Sequence, residues 1–249
     1  MMNQVFSMVP TNPLGFSDVG TLAAPSFADI DNDGDLDAFV GEGFGNTFFY
    51  KNLGTASNPI FAAAIINPFG LTNAGFYINS AFVDIDGDAD LDVFVGNSDG
   101  KIIFSRNTGT VSAPVFAPPT INPFGLSDVG SYADPSLVDI DGDADLDAFV
   151  SNSDGNILFF RNTGTISVPV FASALMNPFG LSDAGGVFAS ITLVDTDDDG
   201  DLDAFVGNVD GDTLYFKNTG TVNNPIFATA KFNPFGLNDV EGNASPVFA

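Results

Sequence analysis

The chain contains no cysteine, no histidine and no tryptophan, and only 6 of its 249 residues are lysine or arginine. Without cysteine there are no disulfides and no thiolate nucleophile. With histidine missing as well, no Ser–His–Asp triad, zinc finger or iron–sulfur cluster can be assembled. The shortage of bases leaves 32 acids nearly unopposed and a formal charge of −26, which repels nucleic acid and anionic membrane surfaces. Neither nucleic-acid binding nor membrane insertion is expected. The longest apolar stretch, about Ile60–Ile66, falls far short of the roughly 20 residues a spanning helix needs. The opening Met1-Met2-Asn3-Gln4-Val5-Phe6 has neither the charged region nor the sustained apolar run of a signal peptide. Apolar side chains are nevertheless plentiful. Hydrophobic residues make up 45% and phenylalanine alone numbers 27, so the chain is no disordered acidic tail.

Self-similarity organises these residues. Asn-Pro-Phe-Gly-Leu begins at Asn67, Asn122, Asn177 and Asn233, with the variant Asn-Pro-Leu-Gly-Phe at Asn12. An aspartate ladder begins at Asp29, Asp84, Asp139 and Asp195, at intervals of 55, 55 and 56 residues. Each unit reads as short strands separated by turns. In the third, the segment from Pro135 leads into the ladder, and Asp147-Ala148-Phe149-Val150-Ser151 is a second apolar run. Ser153-Asp154-Gly155 is a tight hairpin signal, Ile157 to Arg161 a third strand, and Pro169 to Leu175 a fourth. The Asn-Pro-Phe-Gly segment crosses to the next unit, its Pro and Gly excluding a helix or a central strand.

Four antiparallel strands per repeat, iterated, predict an all-β fold: a β-propeller-type array of four-stranded blades stacked through their Phe-rich faces. The chain 1–249 is then one repeat domain. Residues 1–23 carry the last strand of a preceding unit plus a crossover. The repeats are 24–78, 79–133, 134–189 and 190–244, and 245–249 is the first strand of a fifth unit. Val5-Phe6 aligns with a fourth strand and Ser245 to Ala249 with a first, so the two ends are expected to be unpaired edges that dock on neighbouring molecules.

The ladders carry the chemistry. They comprise Asp29, Asp31, Asp33, Asp35 and Asp37; Asp84, Asp86, Asp88, Asp90 and Asp92; Asp139, Asp141, Asp143, Asp145 and Asp147; and Asp195, Asp197, Asp199, Asp201 and Asp203. Five carboxylates within nine residues repel one another unless a cation neutralises them. Calcium takes six to eight oxygens, and loops with acids at positions 1, 3, 5 and 9 wrap around it, with a main-chain oxygen at position 7 and glycine at position 6 for the bend. One ion per repeat, four in all, is expected. Magnesium retains its water and suits such a cage less well. Gly34 and Gly200 occupy position 6 in the first and fourth ladders. Ala89 and Ala144 replace them in the second and third, where glycine has moved to position 4 as Gly87 and Gly142. Alanine at a left-handed position costs on the order of 1 kcal/mol, so those two sites are expected to be weaker or differently shaped. Leu36, Leu91, Leu146 and Leu202, each preceding the last aspartate, are expected to pin the loop to the core.

Through Asp29-x-Asp-x-Asp-Gly-x-x-Asp37, its three partners, and Phe-Gly pairs such as Phe69-Gly70 and Phe124-Gly125, the chain resembles the FG-GAP/VCBS repeat family, whose best-known members are the integrin α-chain head propellers. The resemblance covers almost the whole chain. It implies calcium sites on the loops between the first two strands of each blade, and an extracellular or cell-surface adhesive or structural role. The family's Gly-Ala-Pro element is represented only by Ala23-Ala24-Pro25.

Four of the six bases recur once per repeat, Lys51, Arg106, Arg161 and Lys217. They either form a ring for an anionic ligand or offset the nearby acids, and the second reading is the simpler. Every conspicuous aspartate obeys the repeat, whereas catalytic residues break one, so no enzyme is expected. The sequence-based reading is a non-enzymatic, calcium-binding extracellular structural or adhesive protein that self-associates head-to-tail into a fibre or surface layer. The alternative is a carbohydrate- or protein-binding adhesion module of a larger secreted protein. The absence of tryptophan and the presence of only four tyrosines weigh against a sugar platform.

Overall fold

The computed structural model describes residues 14–184 and 188–248. Each repeat forms one antiparallel four-stranded sheet in simple up-and-down order. The first blade contains β1 (Ala24–Ala28), β2 (Asp37–Gly41), β3 (Thr47–Tyr50) and β4 (Ile65–Ile66). The second contains β5 (Asn79–Val83), β6 (Asp92–Gly96), β7 (Ile102–Ser105) and β8 (Thr120–Ile121). The third contains β9 (Asp134–Val138), β10 (Asp147–Ser151), β11 (Ile157–Phe160) and β12 (Leu175–Met176). The fourth contains β13 (Ser190–Val194), β14 (Asp203–Gly207), β15 (Thr213–Phe216) and β16 (Lys231–Phe232). Strands β1, β5, β9 and β13 pack against one another in succession around an axis. The result is a four-bladed β-propeller, as the repeat predicts. Among the described residues the only helical pieces are single 3-10 turns at Pro68–Gly70, Pro123–Gly125, Pro178–Gly180 and Pro234–Gly236.

Burial follows from stacking. A blade has two faces and each must be covered, so the second strand, sandwiched between neighbours, is apolar throughout rather than alternating. All five residues of β2, β6, β10 and β14 are buried. Between the first two blades Phe39 lies against Phe82 with ring centroids 4.0 Å apart, and Phe49 meets Phe69 edge-on at 5.0 Å. The same Phe trio recurs as Phe94, Phe104 and Phe124, and as Phe149, Phe159 and Phe179. Aromatic pairs in this edge-on geometry add to the stabilisation from area alone.

The Asn-Pro-Phe-Gly turns clamp blade to blade. Phe69 adopts a left-handed φ of 59°, which turns its carbonyl toward the next blade, where Phe116 N–H donates to it at 2.8 Å. Phe171 donates likewise to Phe124, and Phe227 to Phe179. This clamp corrects one expectation: the fourth strand is not a continuous run from Pro169 to Leu175. Phe171 has an isolated bridge to Asn162, and regular pairing resumes only at Leu175–Met176. The amide of Phe171 is engaged by the neighbouring blade and cannot extend the ladder.

Of the terminal segments, Val5-Phe6 and Ala249 lie outside the described residues. Ser245 to Phe248 runs beside β13 and β14 but forms no regular strand ladder. Phe248 packs on Phe205 with centroids 4.8 Å apart, and Ser245 Oγ lies 3.1 Å from Ser190 Oγ.

Candidate metal centres

Each aspartate ladder occupies the loop between the first two strands of its blade. In every loop the carboxylates at positions 1, 3 and 5 converge. Ligand oxygens of Asp29, Asp31 and Asp33 lie within 4.8 Å of one another, as do those of Asp84, Asp86 and Asp88; of Asp139, Asp141 and Asp143; and of Asp195, Asp197 and Asp199. Positions 7 and 9 lie outside these triads.

The first carboxylate also shapes the loop. Asp29 accepts the amides of Asp33 and Gly34, each at 3.0 Å, and Asp195 accepts those of Asp199 and Gly200. Asp84 and Asp139 accept three amides each, the additional one coming from Gly87 or Gly142 at 2.7 Å. The fifth-position carboxylate receives the amide of the seventh, as in Asp90 N–H to Asp88 at 3.2 Å. Leu91, Leu146 and Leu202 pack against the core clusters, as expected of residues that pin the loop, whereas Leu36 is only half-buried and joins none of them.

All four loops bend the same way. Position 6 is left-handed whether it is Gly34 (φ 92°), Ala89 (74°), Ala144 (73°) or Gly200 (89°), and position 4 is left-handed as Asn32, Gly87, Gly142 or Asp198. The two alanine loops thus keep the same left-handed pattern and differ in the added amide of Gly87 or Gly142 on the first aspartate. The loop needs two left-handed residues, and each repeat places its one glycine at one of them, with Asn, Asp or Ala at the other.

The last aspartate is buried at the root of the loop. Asp37, Asp92, Asp147 and Asp203 each accept the amide of the asparagine two residues beyond the third strand, Asn52, Asn107, Asn162 or Asn218, at 2.6–2.7 Å. Burial pushes the carboxyl of Asp37 up to about 6 and those of Asp92 and Asp147 up to about 7. The seventh-position carboxyls, Asp35, Asp90, Asp145 and Asp201, are raised by burial first and then by the fifth-position charge.

The recurring bases resolve toward the simpler reading. Lys51 pairs with Asp31, and with Asp33 at 3.1 Å; Arg106 pairs with Asp86; Arg161 with Asp141; and Lys217 with Asp197, and with Asp199 at 3.3 Å. One base cannot satisfy five carboxylates. Buried, without any hydrogen-bond partner, remain Asp31 Oδ1, Asp35 Oδ1 and Asp37 Oδ2 in the first loop. The second leaves Asp86 Oδ1, Asp90 Oδ1 and Asp92 Oδ2, and the third Asp141 Oδ1, Asp145 Oδ1 and Asp147 Oδ2. Such orphaned acceptors are costly unless a cation or water meets them. An all-oxygen, multiply anionic donor set suits a hard divalent cation.

The fourth loop differs in a way the sequence analysis missed. Asp203 Oδ2 accepts hydrogen bonds from Tyr215 Oη at 2.8 Å and from the Thr196 hydroxyl. The equivalent residues elsewhere are Ile30, Ile85 and Ile140, and Phe49, Phe104 and Phe159, none of which can donate. The signal was present as a paired Ile-to-Thr and Phe-to-Tyr departure from the repeat.

A β-propeller whose every blade carries an acidic, convergent loop defines a class of repeat proteins. The FG-GAP-like repeat family matches residues 29–95 and 84–150. Residues 29–150 therefore carry FG-GAP-like repeats. No curated protein matches the chain in sequence. Among solved structures it is similar to BBS1N in complex with ARL6DN, soaked with lead, at 12% identity and a TM-score of 0.43. That match covers 88% of this chain and 58% of the other, so the chain spans under two thirds of the length of the chain it resembles.

Proposed function

We propose that the chain is a non-enzymatic, calcium-binding repeat protein with a structural or adhesive role outside the cell or at its surface. The observation carrying this reading is the set of buried carboxylate oxygens without partners, repeated loop after loop in an FG-GAP-like frame. Calcium would be held by the side chains at positions 1, 3, 5 and 9, with position 7 completing the shell. When bound, it supplies the positive charge that lets the loop condense. The chain's own residues supply the rest. The first aspartate folds the loop through its backbone amides, the asparagine amide orients the last one, and the recurrent base neutralises part of the third.

Affinities of extracellular modules of this kind fall around 10⁻⁴–10⁻³ M, a range suited to a calcium-rich exterior. Equilibrium dialysis against calcium tests the reading directly. The expectation is about one ion per loop, with magnesium at the same concentration unable to displace it. Less than one ion per chain at millimolar calcium would defeat it.

Self-association belongs to the same proposal. The outermost strands β4, β8, β12 and β16 are exposed at both residues and carry apolar side chains such as Ile65, Ile121, Leu175 and Phe232. Exposed apolar edges are templates for pairing. Light scattering and negative-stain imaging in millimolar calcium should show concentration-dependent assemblies, and discrete monomers at every concentration would remove this part.

A further inference from the structure

The propeller axis opens into a cavity of about 330 Å³ that none of the ladder aspartates lines. Its walls come from consecutive blades. Tyr77, Tyr132 and Phe188 occupy the same position in successive repeats, immediately before the inner strand's approach to the axis, and all three are partly exposed there. The Tyr77 and Tyr132 ring centroids are 5.2 Å apart, and Tyr132 meets Phe188 edge-on at 4.3 Å. All three hold left-handed backbones, with φ of 54°, 55° and 61°, a region bulky side chains seldom occupy. The equivalent Leu22 and Asn243 share this conformation, so it is set by the repeat and brings five side chains to the same place around the axis.

Beside this aromatic collar stands Asp134. Among the described residues it is the only charged one lining either this cavity or the adjoining one that shares Ala24, Asn79 and Ser190. Ser190 donates a hydrogen bond to its carboxylate, and Ser245 lies within hydrogen-bond distance of Ser190 in turn. Asn79, at the matching position one blade earlier, and Asn243 add amides to the polar side. Burial raises the Asp134 carboxyl to about 7, against the lowering effect of the Ser190 hydrogen bond.

We propose that this cavity is a binding site for an organic ammonium ion, with the Tyr77–Tyr132–Phe188 collar facing its alkyl groups and Asp134 countering its charge. The chemistry discriminates among ligand classes. Aromatic faces attract cations through their quadrupole, best when the cation is poorly hydrated, as alkylated ammonium groups are. A hard divalent ion is held by several carboxylates, as in the ladders, whereas this lining offers only one. An anion would meet no base on any wall and a net charge of −26 around it. A cavity of this volume is at the small end of ligand sites and suits a compact head such as trimethylammonium.

The test uses the full chain in calcium-containing buffer, titrated with choline and separately with its uncharged carbon isostere 3,3-dimethyl-1-butanol. Choline should bind, and the isostere should bind at least about tenfold more weakly. Asp134→Asn and Tyr132→Leu should each weaken choline by about tenfold or more while leaving calcium stoichiometry unchanged, since the metal loops lie elsewhere. Phosphatidylcholine vesicles form a parallel arm: co-sedimentation identifies a lipid headgroup as the source of the ammonium, and its absence alongside choline binding identifies a free small molecule. Equal binding of the isostere, an unaltered Asp134→Asn variant, or no choline binding up to about 10 mM would overturn the proposal. Unchanged calcium stoichiometry in each variant separates a lost choline site from a folding defect, which would lower both.

Discussion

At the scale of single residues, the decisive atoms are carboxylate oxygens. The same aspartate can be satisfied by protein or left open, and the fourth ladder shows the difference. Tyr215 and Thr196 donate to Asp203 Oδ2, whereas the equivalent oxygens of Asp37, Asp92 and Asp147 have no partner. A metal ion competing for Asp203 must displace hydrogen bonds to a charged acceptor, among the stronger kind. The double substitution Thr196→Ile with Tyr215→Phe is expected to tighten the fourth calcium site about tenfold. Isothermal titration should then change from a mixed isotherm to one closer to four equivalent sites.

Asp134 carries a pH prediction. Its folded carboxyl titrates near 7 against an ordinary value of 3.8. A raised acid contributes stability that is fully present below pH 3.8 and is lost as the pH rises through about 7. Wild type should therefore lose melting temperature relative to Asp134→Asn between pH 5 and 8, by a few degrees. A constant gap across that range would contradict the assignment.

The ladders themselves were legible, because chemistry repeated at fixed spacing needs no knowledge of the fold. The role of Tyr215 was not. Its partner lies twelve residues away across a hairpin, and only strand pairing brings the two hydroxyls onto one carboxylate.

At the scale of elements, the repeat is governed by how closely one blade approaches the next. The second strands end at Gly41, Gly96 and Gly207, where a Cβ would fall 2.3, 2.2 and 2.1 Å from the carbonyl oxygens of Ile78, Ala133 and Ala244. In the third blade the position is Ser151, whose hydroxyl donates to Ala189 O at 2.7 Å. A small polar side chain is thus accommodated by bonding to the atom it would otherwise strike. Gly96→Val is expected to destabilise by about 1–3 kcal/mol through overpacking, and Gly96→Ser by much less. Chemical denaturation of the two variants measures the contrast.

Strand identities were readable from apolar runs and turn residues, and the first three strands of each blade fall where those signals put them. The fourth was overextended because its sequence is apolar along its length. Nothing local reveals that Phe116, Phe171 and Phe227 give their amides to the neighbouring blade's turn. The left-handed residues at position 4, Asn32 and Asp198 among them, were equally hidden, since intrinsic preference does not announce a conformation that the loop as a whole imposes.

At the scale of the molecule, stacked Phe-rich sheets must hold together a chain of net charge −26. Self-repulsion of that size disfavours a compact state. The arrangement places the largest concentrations of charge in four loops between strands that are buried along their length, so neutralising those loops acts on every blade at once. Simple salt screens exposed charges but reaches buried carboxylates poorly. Divalent ions in the loops are therefore expected to stabilise far more than sodium chloride at equal ionic strength.

The most direct measurement is the thermal unfolding curve in excess chelator, in 10 mM calcium, and in sodium chloride matched for ionic strength. With dissociation constants of about 10⁻⁴–10⁻³ M, 10 mM calcium contributes roughly 1.4–2.7 kcal/mol per site. Several sites together should raise the melting temperature by at least about 10 °C over chelator, with sodium chloride giving only a small part of that rise. Coincident curves in calcium and chelator would contradict the account.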